Sequence, residues 1–89
     1  MAVNVVSFDD LKKLDLRIGK IIDAQDHPDA DRLVVLQIDM GTDVRQICAP
    51  FKGIHSLDYL KTARVIVAVN VEARMMRGKI SQGVLINVT

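Results

Sequence analysis

Apolar and polar residues alternate through LDLRIGKI, residues 14 to 21: Leu14, Leu16 and Ile18 face one way, Asp15 and Arg17 the other. That period of two predicts a half-buried strand. Gly19 predicts a bend or bulge of the kind that curls a strand around a barrel corner, and the strand resumes through Ile21 and Ile22. LVVLQIDMG reads as a second strand with Val34, Leu36, Ile38 and Met40 on its inward face. Gly41, Thr42 and Asp43 then close a tight hairpin connection to a third strand, VRQICA. RVIVAVNV is a fourth strand, with Val65, Val67, Val69 and Val71 on one side, and GVLINV is a fifth. Ser7, with Asp10 three residues on, forms a weak capping box, and Phe8, Leu11 and Leu14 share a face, which predicts a short helix at 8 to 13. HPDADR is a loop by composition, and PFKGIHSLDYLKTA, residues 50 to 63, is an irregular connection holding a short helical turn after Ser56.

Five short strands with one irregular crossover between the third and fourth favour a small closed barrel over a sandwich, because closure removes edges that so small a domain could not cover. The expectation is therefore an all-β, five-stranded barrel of the oligonucleotide/oligosaccharide-binding (OB) type, with a short N-terminal helix and a short helical turn between strands three and four. At 89 residues the chain is read as a single domain, 1–89. Alternation of strands with long helices is absent, which disfavours a parallel sheet.

Composition narrows the function classes. Arg17, Lys20, Gln37, Asp39 and Asn70 interrupt the apolar runs, so no membrane helix is expected. MAVNVVSFDD has no cationic region ahead of an apolar one, as a secretion leader would, and the expected location is cytoplasmic. The single Cys48 cannot form an internal disulfide and makes no zinc-ligand spacing with His27 or His55; burial within a strand is its expected state. No phosphate-cradling glycine loop, nucleophile elbow or His/Glu metal pattern is present, so neither an enzyme nor a cofactor is expected. The two histidines are expected at the surface or in a single hydrogen bond, and Asp29 and Asp31 as turn caps beside Pro28 rather than a carboxylate pair.

Charge changes the picture more. Residues 1 to 43 carry five Lys/Arg against nine Asp/Glu, a balance of −4; residues 44 to 89 carry seven against two, a balance of +5. This is either an unevenly solvated surface or an anion-binding face. In an OB barrel, ligands lie across the middle strands and between the loops joining strands one to two and four to five. HPDADR and RMMRGKISQG occupy those positions, so Arg74, Arg77 and Lys79 are placed beside the groove, either meeting phosphates or solubilising the barrel mouth. Phe8, Phe51 and Tyr59 all lie outside the strands. Base stacking along an extended single strand is therefore disfavoured, and recognition of a folded RNA by backbone, shape and a few unpaired bases fits better.

LDLRIGKI, HPDADRLVVLQIDMG, RQI and VNVEARMMRGKISQGVLI, in this order and spacing, resemble the tRNA-binding domain found at the C-terminus of many bacterial methionyl-tRNA synthetases. The same domain occurs in free-standing dimeric tRNA-binding proteins and in the cytokine-precursor cofactor of the animal synthetase complex. The resemblance covers roughly residues 8 to 86. It implies an OB fold and non-catalytic, structure-directed binding of tRNA. It also implies an accessory role beside an aminoacyl-tRNA synthetase, like a methionyl-tRNA synthetase β subunit. Carried over by position, Asn70, Arg74, Met76 and Arg77 match the family's loop after the fourth strand, and Ser81 and Gly83 its serine-any-glycine motif. Ser81 is then the foremost expected contact, its hydroxyl serving phosphate or ribose, the alternative being a turn-stabilising serine. Arg32 and Lys79 complete the expected tRNA-binding set. Val84 stands where the family usually has methionine, and Met75 where it often has lysine. A homodimer is the association the family implies; its members continue for about twenty residues beyond the position of Thr89, and those residues help build that interface. A related branch resembles a secretion-linked peptide-binding chaperone, whose groove would use Met75, Met76 and Val84 as an adaptable apolar surface.

Overall fold

Ser7 opens the described chain, which runs over residues 7–88 in a computed structural model; the leader reading on residues 1 to 6, and Thr89, lie outside it. The Ser7 side chain accepts a hydrogen bond from the Asp10 amide and caps α1 (Phe8–Lys12). This is the helix expected, but its apolar face finds no core: Phe8 is 72% and Leu11 55% exposed. Strands β1 (Leu16–Asp26), β2 (Val34–Asp39) and β3 (Val44–Ala49) follow, then α2 (Leu57–Leu60), capped by Ser56, and β4 (Arg64–Ala68). The chain ends in β5 (Arg74–Met76), β6 (Lys79–Ser81) and β7 (Val84–Val88).

One antiparallel sheet takes the order β3-β2-β1-β4-β7 and curls on itself, while β5 and β6 pair separately. The five expected strands are all present, and the helical turn stands between the third and fourth. Alternation in β2 and β4 does what it predicts: Val34, Leu36 and Ile38 from one, Val65 and Val67 from the other, are buried. They meet Ile21, Ile47 and Leu60 in a single core, each such side chain contributing about 1.5–3 kcal/mol.

The first strand departs from its expected parity. Leu16 and Ile18 are 52% and 71% exposed, and the inward positions are Gly19, Ile21 and Ala24. The cause lies in two places. A Cβ on Gly19 would sit 2.6 Å from both Ile38 Cγ2 and Met40 Sδ, so Gly19 is where β1 presses closest onto β2. The bulge expected near Gly19 falls instead between Ile21 and Asp23, where the register with β2 shifts and the inward parity passes from odd to even residues.

The second difference concerns residues 74 to 83, read as a loop. They hold a hairpin in which Arg74 pairs with Ser81 and Met76 with Lys79. β3 and β7 share no ladder, and the hairpin packs against β3 beside that open seam. It is fastened there largely by side chains. The Gln82 amide donates to the Gln46 carbonyl at 2.8 Å, and the Gln82 side chain accepts from the Gln46 amide at 3.0 Å. Gln46 Nε2 donates to the Ile80 carbonyl at 2.9 Å, and the Cys48 amide donates to the Ser81 hydroxyl at 3.1 Å. Among the described residues, no helix is long and apolar enough to cross a membrane.

Candidate nucleic-acid interface

Arg77 and Gly78 form the two-residue turn of the hairpin, with φ of +54° and +88°. Positive φ at both central residues is the type I′ pattern, whose twist matches the flanking strands. Asn-Gly is its usual occupant; an arginine in the first position carries a Cβ penalty and projects a cation from the tip.

His27 holds that tip in place. The Asp29 amide donates to His27 Nδ1 at 3.0 Å, so the ring proton resides on Nε2, which donates to the Met76 carbonyl at 2.8 Å. Only 3% of the residue is exposed. This is neither a surface histidine nor one with a single hydrogen bond, as the sequence suggested; it joins the 27–33 loop to the hairpin. The two cationic and proline-bearing segments therefore stand side by side. The connection after β3 joins them: the Lys52 amide donates to the Arg32 carbonyl at 3.3 Å.

Around this junction lie three concavities. Arg32 and Arg77 border one of about 540 Å³ together with Asp29 and Asp31. Arg74, Met76, Ser81 and Gly83 border a second of about 370 Å³ with Phe51. Lys79 borders a third of about 250 Å³, which runs onto the outer face of β1, β2 and β3. That face carries Asp23 and Asp26 with an amide pair, Gln37 donating to Gln46 at 2.9 Å. Carboxylates there disfavour an anion on that face. Among the described residues, Arg32, Lys52, Arg74, Arg77 and Lys79 make no ion pair, whereas Lys13, Arg17 and Arg45 are held by Asp10, Asp15 and Asp43. The Arg17 hydrogen bond lowers the Asp15 carboxyl below its ordinary value.

The expected residues divide by what their polar atoms already do. Arg32, Arg74, Arg77 and Lys79 are exposed and Met76 half-buried. Ser81 is 5% exposed, and its hydroxyl accepts from Cys48 and reaches the Gly83 carbonyl at 3.5 Å. Gly83 is buried where a Cβ would lie 3.0 Å from the Ala68 carbonyl oxygen. Asn70 borders none of the three concavities; its Oδ1 accepts from the Asp15 amide at 2.8 Å and its Nδ2 donates to the Lys13 carbonyl, clipping the approach to β1 onto the end of β4. Cys48 is buried, as expected, and desolvation pushes its thiol up, with Lys79 partly opposing. No three metal-ligating side chains come together among the described residues. Reasoning from sequence missed His27, Gln46, Gln82, Phe51 and Lys52; all but Phe51 act through a partner distant in the chain, which local pattern does not carry, and Phe51 is placed by ring contacts within an irregular connection.

Residues 16–89 match the family model described as "Putative tRNA binding domain". The methionine–tRNA ligase of Thermococcus onnurineus is 48% identical over 84 residues, which is 94% of this chain and 12% of that ligase. The chain thus spans about an eighth of the curated relatives it matches. Among solved structures, a protein related to methionyl-tRNA synthetase from Pyrococcus horikoshii superposes with a TM-score of 0.84 at 24% identity, over 94% of this chain and 77% of that one. The chaperone CsaA of Bacillus anthracis superposes at 0.80 with 25% identity, over 93% and 76%.

Proposed function

We propose that this chain, which belongs to the tRNA-binding domain family, binds tRNA as a non-catalytic module that reads backbone and shape rather than sequence. The observation that carries this reading is the hairpin: Arg74, Arg77 and Lys79 stand on it without carboxylate partners, Arg32 shares a concavity with its tip, and His27 fixes it beside the 27–33 loop. Within the expected set, Arg32, Arg74, Arg77 and Lys79 meet phosphates, and Met76 packs on sugar or base. Ser81 and Gly83 shape the wall on which those contacts are made, and Asn70 holds the strand end behind it.

The second partner is an aminoacyl-tRNA synthetase, a methionyl one by kinship, and the setting is the cytoplasm. Assembly as a homodimer is the third association, for which exposed apolar side chains of β1, such as Leu16 and Ile18, are available. Sedimentation velocity checks it, and a mass of one chain at high concentration contradicts it. For the central claim, anisotropy titrations compare tRNA with a DNA duplex of equal charge at low salt. Tighter binding of tRNA is the expected result, and equal affinity for both counts against it. Capture of an unfolded peptide with no tRNA binding would favour the chaperone branch instead.

A further inference from the structure

The concavity between β3 and β7 differs from its neighbours in what lines it. Phe51, Met76, Val84 and Ile86 give it apolar walls, while Arg74 and Asn87 stand at its edge. We propose that it takes one unstacked nucleobase of the bound RNA, with the adjoining phosphate meeting Arg74. The proposal rests on the tRNA-binding reading and names the part of the RNA that this site receives.

Three features carry it. A nucleobase is flat, apolar on both faces and polar around its rim, and the walls answer in kind: Phe51 offers a ring, Met76 a polarisable side chain, and β7 an edge. β7 is hydrogen-bonded to β4 on one side only, so its main-chain groups facing β3 have no ladder partner and are available to the rim of a base. Phe51 is also held firmly. His55 meets it edge-on with centroids 5.1 Å apart, and Tyr59 braces His55 at 5.3 Å, so the ring is positioned before any ligand arrives. Arg74, free of any carboxylate, lines the same cavity and supplies a cation for the adjoining phosphate, and a volume of about 370 Å³ falls within the range of small-ligand sites. The concavity on the outer face of β1 to β3 is lined by carboxylates, amides, Pro28, Val35 and Lys79, with no aromatic ring on which a base could stack. The pocket at the seam is thus the place where this domain, poor in aromatic residues, supplies a stacking surface.

The test fills the pocket without touching charge. Val84→Trp adds a ring at its mouth, where the native side chain is 41% exposed, and tRNA binding should weaken about five- to a hundredfold. The slope of affinity against salt should not change, because no phosphate contact is lost. Adenosine monophosphate titrated into the unaltered protein provides a second measurement that does not depend on how the variant folds; it should shift the NMR signals of Phe51, Met76 and Ile86. Salt-dependent tRNA binding with neither effect would overturn the base pocket and leave the tRNA reading intact. Absence of tRNA binding by the unaltered protein would remove both. Displacement of the nucleotide by an unfolded peptide but not by tRNA would overturn the proposal in favour of a peptide site.

Discussion

Arg77 is held at φ +54°, where an arginine costs about 1 kcal/mol relative to a residue at ease there. A cation kept at a strained turn is what a binding site would retain and a purely structural hairpin would not. Arg77→Asn should therefore raise Tm, by about 4–8 °C for each kcal/mol recovered, while weakening tRNA binding; calorimetry and titration of the same sample read both. Ser81→Ala should do the reverse of the first effect. It strands the Cys48 amide in the interior at a cost of about 1–3 kcal/mol, so Tm falls, and any loss of affinity should follow the loss of fold. Cys48 gives a pH dependence. Its folded pKa is raised above the ordinary 9.0 by burial, so the folded state favours the neutral thiol. That preference contributes nothing below the unfolded pKa, and stability should decline as pH rises past it toward the folded value. Replacement by alanine should flatten that alkaline decline in denaturation curves taken at successive pH values.

The β5–β6 hairpin is the element on which the site depends, and His27 is its anchor. His27→Ala removes a donor to the Met76 carbonyl and an acceptor for the Asp29 amide, at about 1–3 kcal/mol. Hydrogen exchange should quicken across residues 74–81, and tRNA affinity should fall although His27 itself touches no ligand. His27→Gln, which keeps a donor near the Nε2 position, should restore part of both. Unchanged exchange in the alanine variant would show that the hairpin is held by β3 alone. This element was also the least legible in the sequence. Its strands are three residues long, its turn is Arg-Gly rather than Asn-Gly, and its fastening to β3 runs through Gln46, Ser81 and Gln82, more than thirty residues apart. β2 and β4, by contrast, could be read directly, because strict alternation over a buried face leaves one parity open. β1 has the same alternation but turns the other way: apolar residues on both faces made parity ambiguous, and the close approach at Gly19 and the bulge after Ile21 decided it.

At the scale of the molecule, part of the charge split of −4 and +5 along the chain becomes spatial. Asp23 and Asp26 of β1 lie on the outer sheet face, and Arg74, Arg77 and Lys79 stand on the hairpin with Arg32 beside its tip. The membership of the cationic set was legible because loop positions in an OB barrel are fixed by strand order; the roles of Ser81 and Asn70 were not, because hydrogen bonds to distant backbone leave no local trace. Binding by the proposed surface would be electrostatic in its main part. With about three to five phosphates neutralised, the logarithm of the tRNA association constant should fall against the logarithm of salt with a slope near −2 to −4. The most direct measurement is that slope for the unaltered protein and for the Arg74→Ala/Arg77→Ala variant. Both side chains are exposed and unpaired, so the variant should keep its Tm, bind tRNA more weakly and show a slope shallower by about 2. An unchanged slope in a fully folded variant would contradict the placement of the tRNA backbone on the hairpin.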